Sequence, residues 1–208
     1  DYGKYTGLDQ YFDAWCPAID RFVREIDQVR YMQGQGKKVW FYTLTKRPGK
    51  VMGFVTEDPA TAARMTVGLA QVMYKPDGFL YYSVLHGSLR QKRITTGPLT
   101  EHSGRSYSDM NGDGLLLYPS VAGAMSCIRL KAIRDGVEDF EYYHQLRKID
   151  EMIKTEKLTL PPAEVQQLGE MLAINPQVMK DLEYYDRSGD ILEMERRKIG
   201  DFLEKHKQ

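Results

Sequence analysis

The sequence predicts an α/β fold, and three observations carry that reading. Residues 38–45 (KVWFYTLT) and 78–85 (GFLYYSVL) are nearly continuously apolar and rich in β-branched and aromatic side chains, as strands covered on both faces are. Segments with helical periodicity lie before, between and after them. A third short apolar run, LLLY at 115–118, leads through a small-residue loop into the most strongly patterned helix of the chain. Strand, helix, strand, helix, strand, LLLY and helix again is the order of crossover units that build a parallel sheet with helices outside it.

The elements follow in chain order. Residues 8–16 (LDQYFDAWC) read as a strand with its loop, and Pro17 then stands where a first helical turn tolerates it. Ile19, Phe22, Val23, Ile26 and Val29 form a helical stripe that the glycines at 34 and 36 stop. After strand 38–45 comes a loop, KRPGKVMGFVTE, and then Asp58, whose carboxylate is expected to cap a helix starting at Pro59. Ala63, Val67, Ala70 and Tyr74 carry the stripe of that helix, and Lys75-Pro76-Asp77-Gly78 turns the chain into strand 78–85. Between His86 and Met110 there is no good periodicity, and a connection of that length inside a compact domain is either functional or mobile.

In the helix after LLLY, Leu130, Ile133, Val137, Phe140 and His144 recur at helical spacing and are expected to face a core. Gly136 works against that helix by about 1 kcal/mol relative to Ala, which implies a close neighbour. Beyond Leu146 the composition turns polar and charged, and two more helices are expected, starting at Pro161-Pro162 and at Asn175-Pro176. The predicted organisation is therefore a domain over 1–146 and a helical extension over 147–208 that packs on it.

Composition narrows the function. The 29 basic and 29 acidic side chains cancel, so no nucleic acid or other polyanion is the expected partner. No apolar run approaches the roughly 20 residues of a membrane span. Cys16 and Cys127 give neither a metal-ligand spacing nor a disulfide framework, and no cofactor is expected. The segment DMNGDG at 109–114 matches the first half of a calcium loop. Its twelfth position is Ser120 rather than Glu, however, which favours an Asx-rich turn and leaves calcium open.

Adjacent carboxylates, the equipment of glycoside hydrolysis, occur at Glu57-Asp58, Glu138-Asp139 and Asp150-Glu151. The first reads as a helix cap and the others lie on charged helix faces, so none is assigned a catalytic role. The better candidates come from topology. Parallel α/β sheets bind ligands at the carboxyl ends of their strands, and sugars pack on flat aromatic faces ringed by carboxylates and hydroxyls. Asp13, Trp15, Tyr42, Thr43, Tyr82, Ser83 and His86 stand at such ends. The competing reading has Trp40, Tyr42, Tyr81 and Tyr82 filling core positions; by alternation, at most one of Tyr81 and Tyr82 faces a pocket.

The blocks KKVWFYTLTKRPG, DGFLYYSVL, NGDGLLLYP and above all SCIRLKAIRDGVEDFEYYHQL resemble the carboxyl-terminal portion of the glycoside hydrolase family 123 catalytic domain, long catalogued as a domain of unknown function. The resemblance covers about residues 7–146. It implies the carboxyl-terminal part of a (β/α)8 TIM-type barrel, followed here by the helical tail, and hydrolysis of terminal N-acetyl-β-galactosaminides or related N-acetyl-β-hexosaminides. In that family the substrate's acetamido oxygen attacks the anomeric carbon, an Asp orients it, and the Glu that follows is the general acid. That pair belongs to an earlier barrel strand, so the resemblance implies a fragment without catalytic residues of its own.

By the same resemblance, Asp13 and Trp15 match an Asp-x-Trp near a strand end and Tyr42 matches an aromatic after a tryptophan-rich strand. Tyr82 stands where the family commonly has Trp, and Leu85-His86-Gly87 replaces its usual Asn and following Trp. The expected binding residues are thus Asp13, Trp15, Tyr42, Tyr82 and His86, and a carbohydrate-binding or catalytically degenerate barrel is the alternative. The resemblance also implies export to the periplasm or outside the cell. A partial barrel leaves sheet edges and apolar strand faces to be covered by an upstream barrel half or by self-association.

Overall fold

The computed structural model describes residues 9–43, 51–55, 58–85, 112, 114–120 and 123–206. The fold is mixed α/β, and the chain forms two compact units, each built from two stretches of sequence.

The first unit, Asp1–Glu57 with Tyr74–Cys127, holds the strands. Strands β1 (Ala14–Trp15), β2 (Lys38–Tyr42) and β3 (Gly78–Leu80) make a parallel sheet in the order β1-β2-β3. Helices α1 (Ile19–Arg24) and α2 (Ile26–Gly34) form the crossover from β1 to β2. The expected single helix is broken at Glu25, yet its stripe holds in part, with Ile19, Phe22 and Val29 buried. Gly36, at φ +78°, makes the turn into β2 that an L side chain resists.

Along β2 the burial alternates. Val39 and Phe41 are buried on the face that α1 and α2 cover, where Phe22 meets Phe41 edge-on with ring centroids 5.4 Å apart. Phe79 and Phe54 continue this core, and Met52 and Val55 are buried with it. The expectation that both faces of β2 are covered fails, because Lys38 and Trp40 on the other face are exposed.

A second correction concerns LLLY. Rather than joining the parallel sheet, β4 (Leu117–Ser120) pairs antiparallel with β5 (Gly123–Ser126). Only two residues separate Ser120 from its partner Gly123, and parallel pairing needs a crossover many times longer. Leu115 and Leu116 before it are buried, and the Leu116 and Leu117 amides both donate to the Val84 carbonyl. Among the described residues, the strands form these two small sheets and not a closed barrel.

The second unit, Asp58–Met73 with Ile128–Gln208, is helical. It contains α3 (Ala60–Val67), most of α4 (Leu69–Tyr74), α5 (Ile128–Lys154), α6 (Pro162–Leu172) and α7 (Asp190–Lys205). Asp58 is not the cap of α3. Pro59 holds that position, and the Asp58 carboxylate lies 3.8 Å from the Arg187 guanidinium.

The buried face of α5 also differs from the expected one. Arg129, Ala132, Gly136, Asp139, Tyr143 and Leu146 are buried, whereas Val137 is 52% exposed, His144 is exposed, and Leu130, Ile133 and Phe140 are half-buried. The reason is Gly136, whose missing side chain admits the Arg64 carbonyl and Val67 of α3. A close helix crossing is centred on small residues, and a count of large apolar side chains misplaces it. Helix α6 begins at Pro162 as expected, but the last helix starts at Asp190, well after Asn175-Pro176. The intervening chain folds through a Met179–Tyr185 bridge.

Candidate functional site

The uncovered face of the parallel sheet is built by register. Trp40 pairs with Gly78 and Tyr42 with Leu80 in the β2–β3 ladder, so these positions share one face, opposite the Val39–Phe41 core. Trp40 is 40%, Leu80 40% and Tyr82 42% exposed, and Tyr42 is half-buried. Tyr81 turns the other way. Its ring packs 4.6 Å from that of Phe54 and its hydroxyl accepts the Gly114 amide at 2.5 Å.

The register itself is held by Asp77. Its carboxylate accepts the Val39 amide at 2.9 Å, the Gln33 amide nitrogen at 2.9 Å and Lys38 Nζ at 3.2 Å, while its own amide donates to the Val39 carbonyl at 2.9 Å. Partial burial pushes the Asp77 carboxyl up, but these donors and the Lys38 charge hold it below the ordinary carboxylate range. Arg30 and Gln33 of α2 bind the Tyr74 and Lys75 carbonyls just upstream. The start of β3 is thereby tied to both α2 and β2, which sets Gly78 beside Trp40.

Of the expected binding residues, Tyr42 falls on this open face near the carboxyl end of the sheet, whereas Tyr82 stands two residues past the end of β3, exposed, with its ring 5.6 Å from that of Tyr81. Asp13 does not join Tyr42. It precedes β1, its carbonyl accepts the Lys38 amide, and its carboxylate is 3.4 Å from Lys37 Nζ. It is therefore level with the amino end of β2, about 15 Å of strand from Tyr42. Trp15 pairs with Val39, so it lies on the helix-covered side, with its ring edge-on to Phe12 at 5.6 Å. His86 and the segment 109–111 with residue 113 of the calcium candidate lie outside the described residues. Thr43 is buried and Ser83 half-buried.

Sequence reasoning gave Trp40 only a core-filling role. The signal that would have raised it is Gly78 opposite it across the ladder, which looked like the end of a turn until the register was known.

The second unit carries one connected polar cluster and one groove. Asp139 accepts Arg64 through Nε at 2.5 Å and Nη2 at 3.0 Å, and Arg196 Nη1 at 3.1 Å. Arg64 also binds Glu193, and Arg196 binds Glu138 at 2.6 Å. Burial works against the Arg64 charge, but Asp139 and Glu193 raise its pKa above the ordinary value. Each charge meets an opposite one, with Arg64 and Asp139 buried and Glu138 and Glu193 half exposed at the rim, which is an architectural arrangement. A groove of about 510 Å³ between α5 and α7, with Tyr142, Ile149, Met152 and Leu203 in its wall, is mainly apolar. Among the described residues no three His, Cys, Asp or Glu side chains converge to hold a metal, and no helix is long and apolar enough to cross a membrane.

Fold and site together define a β/α protein whose parallel sheet presents an open aromatic face. The model of the glycoside hydrolase 123 catalytic domain matches residues 4–146, and the chain belongs to that family. Among solved structures it is similar to a family 123 glycoside hydrolase from Clostridium perfringens, described for glycolipid glycan hydrolysis, with a TM-score of 0.61 and 15% identity. The likeness covers 97% of this chain, so it takes in helical segments beyond the family match, but only 34% of that enzyme. No curated protein sequence matches.

Proposed function

We propose that this chain is part of a glycosidase for terminal N-acetyl-β-hexosaminides, N-acetylgalactosamine-like, and supplies walls of its sugar pocket. The observation that carries the reading is the open aromatic face with Trp40 and Tyr42, followed by the exposed Tyr82 just past β3, in a chain of the glycoside hydrolase 123 family. Residues 1–146 are then the last strands and helices of a (β/α)8 barrel and 147–208 a helical extension. The reaction is substrate-assisted and retaining: the acetamido oxygen of the substrate is the nucleophile, and an Asp-Glu pair from an upstream part of the barrel orients it and protonates the leaving oxygen. Tyr42 and Tyr82 exclude water and hold the sugar ring. Asp13 and Trp15 match the family pattern but lie off this face, and the proposal gives them no contact with the sugar.

The test is hydrolysis of a chromogenic N-acetyl-β-galactosaminide by the 208-residue chain and by the longest polypeptide of the same reading frame. Turnover by the longer polypeptide alone is expected. Turnover by neither, in a reading frame without an Asp-Glu pair at a strand end, would favour a carbohydrate-binding barrel. That second reading is motivated by Tyr82 and Leu85-His86-Gly87, which depart from the family's aromatic and amide pattern.

A further inference from the structure

We infer that Trp40 is a stacking platform for a pyranose ring, a role that rests on the reading above and adds a residue to its site. Trp40 and Gly78 are direct partners in the parallel ladder, so any side chain at 78 would stand beside the indole. The position a Cβ would take at Gly78 is 2.7 Å from Cε2, 2.8 Å from Cδ2 and 3.1 Å from Nε1 of Trp40. Cδ2 and Cε2 form the fused bond in the middle of the indole, and a point near both is reached through a ring face, not an edge. One face of the indole is therefore seated on the Gly78 backbone. The residue is still 40% exposed, so the opposite face is open.

This is the presentation that a sugar ring requires. The C–H groups along one side of a pyranose carry partial positive charge and pack on the negative face of an aromatic ring, which must be flat, uncovered and held in place. Gly78 supplies the seat, and an indole already seated loses little freedom when a ligand arrives. Tyr42 and Leu80 share that side of the sheet with Trp40, so the platform is continuous with the proposed pocket wall. Trp15 lacks this presentation, being half-buried on the side of Val39 and edge-on to Phe12.

With two tryptophans in the chain, the platform can be read directly. Trp15→Phe leaves Trp40 as the sole indole, and Trp40→Phe leaves Trp15. Each is titrated with the methyl β-glycoside of N-acetylgalactosamine while emission is recorded, and binding is measured in parallel by calorimetry. A saturable emission change in Trp15→Phe, silence in Trp40→Phe, and affinity about tenfold weaker in Trp40→Ala are expected. Trp40→Phe keeps a ring on Gly78, and its affinity should fall between those of the wild type and Trp40→Ala even if the alanine variant folds poorly. Calorimetric binding with no change in Trp40 emission and full affinity in Trp40→Phe would overturn the platform and leave the sugar reading standing. No heat from this or any other N-acetyl-β-hexosaminide would overturn the platform, and joined with no turnover by the longer polypeptide it would overturn the sugar reading as well.

Discussion

A Cβ on Gly136 would collide with the Arg64 carbonyl oxygen and lie 2.6 Å from Val67 Cγ2, and one on Gly68 would lie 2.8 Å from the Gly136 carbonyl oxygen. The two glycines thus meet backbone to backbone, and the obstacle to any side chain is main chain that cannot rotate away. In an open helix, replacing Gly by Ala gains about 1 kcal/mol. Here the sign reverses. Gly136→Ala is expected to destabilise the protein by about 1–3 kcal/mol, the cost of overpacking, seen as a lower urea midpoint with an unchanged slope. An unchanged midpoint would mean that the helices part freely at this crossing. The same approach brings the Arg64 side chain to Asp139, one turn beyond Gly136. That a neighbour packs on Gly136 was legible from a glycine inside a strong helical pattern. That Arg64 is the neighbour was not, since only pairs three or four residues apart can be read from a sequence, and Arg64 and Asp139 are 75 apart.

Helix α7 is begun by a side chain that lies outside it. The Asp186 carboxylate accepts the amides of Ser188, Gly189, Ile191 and Leu192 at 2.8–3.1 Å and the Ser188 hydroxyl at 2.8 Å. Gly189, at φ +87°, makes the turn into the helix. These amides are the orphan donors that every helix start leaves, and sequence reading placed the start too early because Asn175-Pro176 is the more familiar signal. Asn175 does cap locally, accepting the Gln177 amide, but a helix does not follow. Burial pushes the Asp186 carboxyl up, while the Ser188 hydroxyl and the backbone amides hold it below the usual carboxylate value. A carboxyl with a lower pKa folded than unfolded stabilises fully above its unfolded value, about 3.9, and loses that contribution as pH falls through the folded value. Asp186→Asn is therefore expected to cost about 1–2 kcal/mol at pH 7 and progressively less below about pH 4. Urea midpoints of both proteins at pH 3 and 7 check this; an equal difference at both pH values would remove the carboxylate charge from the explanation.

The strand–helix alternation made the α/β class legible, and the block of residues entering α5 made the family legible. Which sheet face stays open was not, because β2 is apolar at nearly every position and so looks covered on both sides. Its exposed face carries Lys38, Trp40 and Tyr42 against Val39 and Phe41 on the buried one, a difference that two aromatic rings soften, and Gly78 opposite Trp40 is evident only once the register is known. Trp40 and Leu80, with Tyr42 half-buried beside them, give the first unit an apolar surface on one side of a parallel sheet, and contiguous surfaces of this kind drive association when nothing covers them. The 208-residue chain alone is therefore expected to self-associate as its concentration rises. Leu80→Lys places a charge in the middle of that face without disturbing the Phe41–Phe79 core behind it, and should lower the weight-average mass in sedimentation equilibrium toward that of the monomer. A wild-type chain that stays monomeric up to about 10⁻⁴ M would show that the open face is protected against self-pairing, since hydrophobic association of micromolar strength would be evident well below that concentration.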